Sequence, residues 1–204
     1  MISNDTKEGF IIVLSSPSGG GKSSISKALL HHDDKLKLSI STTTRKPRIG
    51  EIEAVDYYFK TNDEFDKLIT QNMFIEYTKI YDNYYGTLRE PLKKSLHCGF
   101  DILFDIDLEG TRSIKNKMPE VVTIFILPPT IEVLRDRLES RGQDCHHTIA
   151  SRMEQALEEI SYAEEYDYVI VNDKFANSIT KIQSIIVAER IKRSRSYKLC
   201  LFQQ

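Results

Sequence analysis

Apolar residues in this chain come in short unbroken runs, set between segments where they recur every three or four positions. Phe10–Leu14 (FIIVL) is the first run. It is rich in branched side chains and too short for a helix, so it predicts a parallel strand buried on both faces. Gly19–Gly21 predict a turn, and Lys22–Leu30 a helix with Ile25, Ala28 and Leu29 on one face. Asp101–Asp107 (DILFDID) and Val121–Leu127 (VVTIFIL) predict two further buried strands, with a helix Glu109–Lys117 between them. Pro128 and Pro129 end the second, and Thr130 is placed to cap a helix Ile131–Ser140. Tyr168–Val171 (YVIV) predicts a fourth strand and Ala176–Arg193 a closing helix. Strands alternating with helices imply an α/β fold, a parallel sheet flanked by helices on both faces.

Two stretches break that rhythm. Ser39–Thr87 is rich in tyrosine, threonine and charge, with strand-like pieces VDYYF and FIEYTKI around a helix Asp63–Asn72, and reads as an inserted α+β subdomain. Arg135–Arg152 sets Arg135, Arg137, Arg141 and Arg152 around a hydrophilic GQDCHH segment and reads as a mobile helical flap. The expected organisation is a core at 1–38, an insert at 39–88, core again at 89–130, a lid at 131–153, and core with a C-terminal helix at 154–204.

The length of 204 residues suits one domain with such additions, and a net charge of -2 gives no global reason to expect nucleic acid or an anionic membrane as partner. Cys98, Cys145 and Cys200 are far apart and odd in number, as expected in a reducing compartment. The opening MISNDTKEG has no apolar h-region and no apolar run approaches membrane-spanning length, so a cytoplasmic protein is expected. The basic tail after Arg190 (RIKRSRSYK) reads as the solvated end of a helix. Oligomeric state is left open.

SPSGGGKSS follows the first strand and opens a helix. Backbone N–H groups of a tight glycine turn, with a helix N-terminus behind them, converge on phosphate oxygens. Ser16, Pro17, Ser18, Gly19, Gly20 and Gly21 would line this cradle, Lys22 would reach the β- and γ-phosphates, and Ser23 would hold Mg²⁺ through its hydroxyl. Ser16 stands where the pattern G-x-x-x-x-G-K-[ST] begins with glycine, a position that tolerates a small side chain if φ stays negative. Such a loop suits a GTPase, an ATPase or a kinase.

SISTTTRKPRIGEIEAVDYYF narrows this. It brings Ser41, Arg45, Arg48 and Tyr57 together, two guanidinium groups and two hydroxyls suited to a second phosphoryl group. Glu76 follows in FIEY, Tyr85 and Thr87 in NYYGT, and Asp105 and Asp107 close DILFDID, where open α/β sheets bind ligands. A carboxylate such as Glu76 accepts from the N1–H and N2 amino edge of guanine, while a hydroxyl such as Thr87 can donate to O6. Adenine would turn the lone pair of its N1 toward that carboxylate.

With SPSGGGKSS, STTTRKPRIGE, VDYYF, FIEY, NYYGT, FDIDLEG, ILPP, RLESRG and YDYVIVND in this order over roughly 10–190, the chain resembles the guanylate kinase family. The run STTTRKPR followed by NYYGT is the most specific part. The resemblance implies a P-loop NTPase-type parallel sheet, an inserted nucleotide-monophosphate-binding subdomain and a helical lid. It implies ATP as phosphoryl donor, Mg²⁺, and GMP or dGMP as acceptor. It assigns Ser41, Arg45, Arg48, Tyr57 and Tyr85 to the GMP phosphate and its surroundings, and Glu76, Thr87 and Asp107 to guanine. Lys22 and Ser23 fall at the ATP phosphates and Mg²⁺; Arg137, Arg141 and Arg152 are the lid arginines; Asn172 and Asp173 border the adenine site. Either Asp105 or Asp107 could serve the Mg²⁺ shell. Three positions depart from the family pattern: Ser16, Ala54 where a glycine is common, and Thr87 where a serine is common.

Other signals carry less. Cys145-His146-His147 are contiguous with no matching ligand cluster, His31-His32 suit the C-terminal end of a helix, and the Tyr57-Tyr58 and Tyr84-Tyr85 pairs lack the basic stripe of a single-strand RNA binder. The competing class is a non-catalytic guanylate-kinase-like binding module.

Overall fold

Ile11–Ser15 forms β1 at the centre of a five-stranded parallel sheet. Leu36–Leu38 (β2), Asp101–Asp105 (β7), Val122–Leu127 (β8) and Tyr168–Val171 (β9) complete it in the order β2-β7-β1-β8-β9. This computed structural model describes residues 8–80, 82–140 and 146–192. β1 is an unbroken apolar run because both its faces are covered. Phe10, Ile12 and Leu14 pack with Ile25, Leu29, Ile182 and Ile186 on one side. Ile11 and Val13 pack with Leu92, Leu96 and Ile114 on the other. The first side is covered by α1 (Lys22–His32) and α7 (Phe175–Ile191), the second by α3 (Arg89–His97) and α4 (Leu108–Lys117). Arg190, near the end of α7, is held by Asp101 at 2.6 Å and Asp33 at 2.7 Å, which pins the last helix to the sheet.

Between β2 and α3 the chain builds a second sheet from Thr42–Thr43 (β3), Tyr58–Phe59 (β4), Phe74–Ile80 (β5) and Asn83–Leu88 (β6), in the order β4-β3-β6-β5. The VDYYF piece contributes two residues of strand where the sequence suggested more. α2 (Asn62–Thr70) starts one residue earlier than expected because Thr61 and Glu64 form a capping box. It stops before Asn72, which takes φ 54 while Asn72 N–H and Met73 N–H bond back to Ile69 and Leu68. Phe65 from α2 stacks on Phe74 and Tyr84, at 4.4 and 5.3 Å between ring centroids, and closes this small core.

α5 (Ile131–Glu139) carries the Thr130 cap that the sequence indicates, with Thr130 Oγ1 accepting from Val133 N–H at 3.2 Å. It packs through Leu134 and Leu138 onto Met153 and Ala156 of α6 (His146–Ser161). Arg141 and Cys145 lie outside the described residues. A short 3-10 turn, Ala163–Glu165, leads into β9.

The described non-glycine residues with positive φ are Ala54 (φ 62) and Asn72. Ala54 is exposed at the tip of a turn closed by Ala54 N–H to Tyr57 O at 2.8 Å. Left-handed backbone costs an L-residue ~1–2 kcal/mol, and glycine returns part of that as unfolded-state entropy. Ala54→Gly should therefore raise stability by roughly 0.5–1 kcal/mol. Thermal unfolding checks this, and an unchanged or lower Tm would show that the turn carries no such strain.

Candidate active site

The glycine turn between β1 and α1 is shaped from three directions. Gly20 N–H closes onto Pro17 O at 2.9 Å. Gly19 (φ 87) and Gly21 (φ 98) take conformations that L side chains rarely adopt. A Cβ on Gly21 would lie 2.6 Å from Asn172 Nδ2, and one on Gly19 would lie 3.0 Å from Leu134 Cδ1. The loop thus rests against the end of β9 and against α5. Ser16 keeps a negative φ, and its hydroxyl donates to Pro17 O at 3.0 Å. The missing leading glycine is therefore accommodated without strain.

Lys22, the first residue of α1, crosses to the end of β7. Its Nζ lies 2.9 Å from Asp105 Oδ1 and donates to Ile106 O at 2.9 Å. Ser26 Oγ approaches the other Asp105 oxygen at 3.4 Å. Ser23 is exposed one residue further along the first turn. Among the described residues no group of three or more His, Cys, Asp or Glu could hold a metal. A Mg²⁺ ion that keeps most of its ligands as water and phosphate asks for only one or two protein oxygens. The Ser23 hydroxyl and the Asp105 carboxylate are hard oxygen donors of that kind, beside the loop.

Asp107 sits beyond the strand. Its Oδ1 accepts from Gly110 N–H at 2.8 Å, so it is the N-cap of α4. Its negative charge still faces Glu76. Asn172 is buried, donates from Nδ2 to Gly20 O at 3.0 Å and accepts from Ser178 Oγ at 3.0 Å. It braces the turn from below. Asp173 is exposed and takes up Lys174 N–H at 2.7 Å at the start of α7.

The second sheet carries the other cluster. Glu76 on β5 and Thr87 on β6 are cross-strand partners, and both are buried, at 3% and 2% exposure. Burial pushes the Glu76 carboxyl up to about 6; Asp107 adds to the rise, while Thr87 and Lys117 oppose it. The Thr87 hydroxyl oxygen is buried without a hydrogen-bond partner among the described residues. Arg45 Nη2 meets Glu51 Oε1 at 2.7 Å, Nη1 donates to Lys46 O at 2.9 Å, and the guanidinium lies 5.2 Å from the centre of the Tyr57 ring. The Tyr57 and Tyr85 rings meet edge-on at 6.2 Å. Burial raises the Tyr57 hydroxyl above its ordinary value. Glu51 also accepts from the backbone N–H of Arg48 at 2.7 Å, so one carboxylate ties the Arg45 guanidinium to the Arg48 backbone and is itself lowered in pKa by Arg45. Ser41 lies half-buried just before β3, its carbonyl accepting from Tyr58 N–H at 2.9 Å.

From α5, Arg137 donates to Asn172 O at 3.3 Å while its Nη1 is buried without a partner among the described residues. Arg152 is half-buried on α6. The sequence did not single out Glu51 or Glu159. Glu159 on α6 faces Lys22 and the backbone of Ser18; burial raises its carboxyl, and its Oε2 has no hydrogen-bond partner among the described residues. Glu51 closes the STTTRKPRIGE run and reaches Arg48 and Arg45 within its own turn, whereas no local pattern marks Glu159, which acts through a contact with the distant glycine turn. Buried polar atoms in folded proteins nearly always have partners. Three of the orphans among the described residues, Thr87 Oγ1, Arg137 Nη1 and Glu159 Oε2, fall on this site; Thr42 Oγ1 and the Tyr166 hydroxyl lie outside it.

Comparison with known proteins decides the family. The family model described as guanylate kinase matches residues 9–189. The chain belongs to the guanylate kinase family. It is 57% identical over 185 residues to a guanylate kinase of Rickettsia prowazekii, covering 91% of this chain and 94% of that one. To the guanylate kinase of Caldanaerobacter subterraneus it is 45% identical, covering 96% and 95%. The crystal structure of guanylate kinase from Anaplasma phagocytophilum superposes with a TM-score of 0.76 at 36% identity, over 95% of this chain and 92% of that one. Among the described residues of this guanylate kinase family member, no helix is long and apolar enough to cross a membrane.

Proposed function

We propose that this chain transfers the γ-phosphoryl group of ATP to GMP, giving ADP and GDP, with dGMP as a second acceptor. The observation that carries the base preference is the buried Glu76–Thr87 pair. A buried carboxylate acceptor stands beside a buried hydroxyl that has no hydrogen-bond partner among the described residues. Guanine offers adjacent donors and an acceptor to that pair. A site built on such bonds can reject a base that leaves them unmade by about 10⁴-fold.

The acceptor phosphate is ionised near neutral pH, so no general base is needed and catalysis is alignment with charge neutralisation. An oxygen of the GMP phosphate attacks the γ-phosphorus in line. The bond to the β–γ bridging oxygen breaks, and ADP leaves with the electron pair. Arg45 and Arg48, organised by Glu51, grip the GMP phosphate with Ser41, Tyr57 and Tyr85 around it. The amides of the turn from Ser16 to Gly21 hold the donor, with Asn172 and Asp173 toward its base. Lys22 and the lid arginines Arg137, Arg141 and Arg152 offset charge on the transferring group. Asp107 serves the guanine side by fixing the start of α4 and facing Glu76. Ser23 and Asp105 would hold Mg²⁺, which supplies further charge neutralisation when bound. The insert at 39–88 and the lid at 131–153 would close to exclude water.

A coupled assay of ADP formation with GMP, AMP, UMP and CMP in parallel tests this. GMP should exceed the others by a factor of hundreds or more. Equal turnover of AMP and GMP would sink the base reading. Absence of turnover with every acceptor, in folded protein, would favour the binding module.

A further inference from the structure

A carboxylate that selects a base must be held at a fixed height, yet the strand that carries Glu76 is poorly supported by its own sheet. β5 is an edge strand of the four-stranded sheet, with β6 as its one strand neighbour among the described residues. An edge strand has no second ladder to fix it. The β5–β6 register also shifts between Phe74 and Glu76. Such a bulge leaves backbone groups out of the ladder and re-aims the side chain that follows. Two cationic side chains from outside the sheet take up the carbonyls of this irregular segment. Arg89 Nη2, at the start of α3, donates to Phe74 O at 2.9 Å. Lys117 Nζ, from the last residue of α4, donates to Ile75 O at 2.6 Å. The Ile75 side chain is buried with Ile114 and Leu92 under the large sheet. The residue before Glu76 is thus anchored twice, its side chain in the main core and its carbonyl on Lys117.

We propose that Lys117 is a positioning residue for guanine selection, holding the bulged strand so that Glu76 is presented to the base at the correct height. The proposal rests on the reading of Glu76 as the base-selecting group. Electrostatics act in the same direction. The charged groups facing Glu76 are Asp107, which caps α4, and Lys117, its last residue. Asp107, at the first end of the helix, disfavours the ionised carboxylate; Lys117, at the last, favours it. Thr87 on β6 also favours it. One lysine therefore both fixes the strand and keeps its carboxylate ionised, and a charge-assisted bond is the stronger kind for the first task.

The test uses the full chain with Lys117→Met, Lys117→Arg and Glu76→Gln beside the parent. Lys117→Met should raise KM for GMP roughly 10-fold with kcat and KM for ATP little changed. The acid limb of kcat/KM for GMP should move toward neutral pH by about half a unit or more, because the carboxyl loses its cation. Lys117→Arg should recover most of both effects. Parental KM and an unmoved limb in Lys117→Met, beside an impaired Glu76→Gln, overturns the proposal alone. So does a Lys117→Met variant that loses thermal stability and all kinetic constants alike, with no movement of the limb. Parental GMP kinetics in Glu76→Gln would instead overturn the base reading itself, and the proposal with it.

Discussion

Lys22→Met should lower turnover with ATP and GMP by about a thousandfold, while the protein stays folded. Lys22 is the cation at the head of α1, and its Nζ is already parked 2.9 Å from Asp105 and 2.9 Å from the Ile106 carbonyl. In the proposed reaction it stands next to the place where charge gathers on the transferring group. Methionine keeps the length and removes the charge. The Lys22–Asp105 pair is partly exposed, at 19% and 26%, so its loss should cost no more than ~1 kcal/mol of stability. Initial rates of ADP formation and a thermal unfolding curve check the two halves together. Turnover above a tenth of the parent's would remove Lys22 from the mechanism. Unfolding at room temperature would assign it a structural role instead.

Glu76→Gln should lose GMP turnover and gain stability at once. The glutamine amide can present an N–H where the carboxylate presents an acceptor, so kcat/KM for GMP should fall ~10²–10³-fold as donors face donors. The stability change follows from the raised carboxyl, moved from 4.5 to about 6 by burial. The folded state then binds this proton more readily than the unfolded state does. Ionised Glu76 thus weighs against folding above pH 6, and the penalty fades as pH falls toward 4.5. Its size is on the order of 1–2 kcal/mol at neutral pH. Glu76→Gln should therefore unfold later than the parent at pH 7.5, with the advantage shrinking near pH 4.5. In the parent, kcat/KM for GMP should fall on the acid side of about pH 6. Lost activity with no change in stability at either pH would mean that the carboxyl is solvated in solution.

The central strands were legible because burial on both faces leaves an unbroken apolar run, as in IIVLS and VTIFIL. α1 and α5 were legible through their periodicity, and the Thr130 cap through its chemistry. β2 was not, because LKL offers one buried residue and gains its place only by pairing with β7. α3 was not, because REPLKKSLH is short and charged and buries just Leu92 and Leu96. The expected strand Asp101–Asp107 ends at Asp105, since Asp107 turns to cap α4. Residue type placed Lys22, Arg45 and Glu76 as candidates. It could not show that Lys22 lies on Asp105, that Glu51 joins Arg45 to Arg48, or that Lys117 props β5. Those contacts join distant or turn-folded segments and exist only once the chain has closed.

The amide of Asn172 reaches back across the sequence to the carbonyl of Gly20. β1 in turn has no neighbour before β7 and β8 have been made. On the ribosome, then, the signature that emerges early lacks its Asn172 brace until synthesis has passed β9. A nascent chain halted short of Asn172 displays the whole glycine-rich motif with its floor still unbuilt.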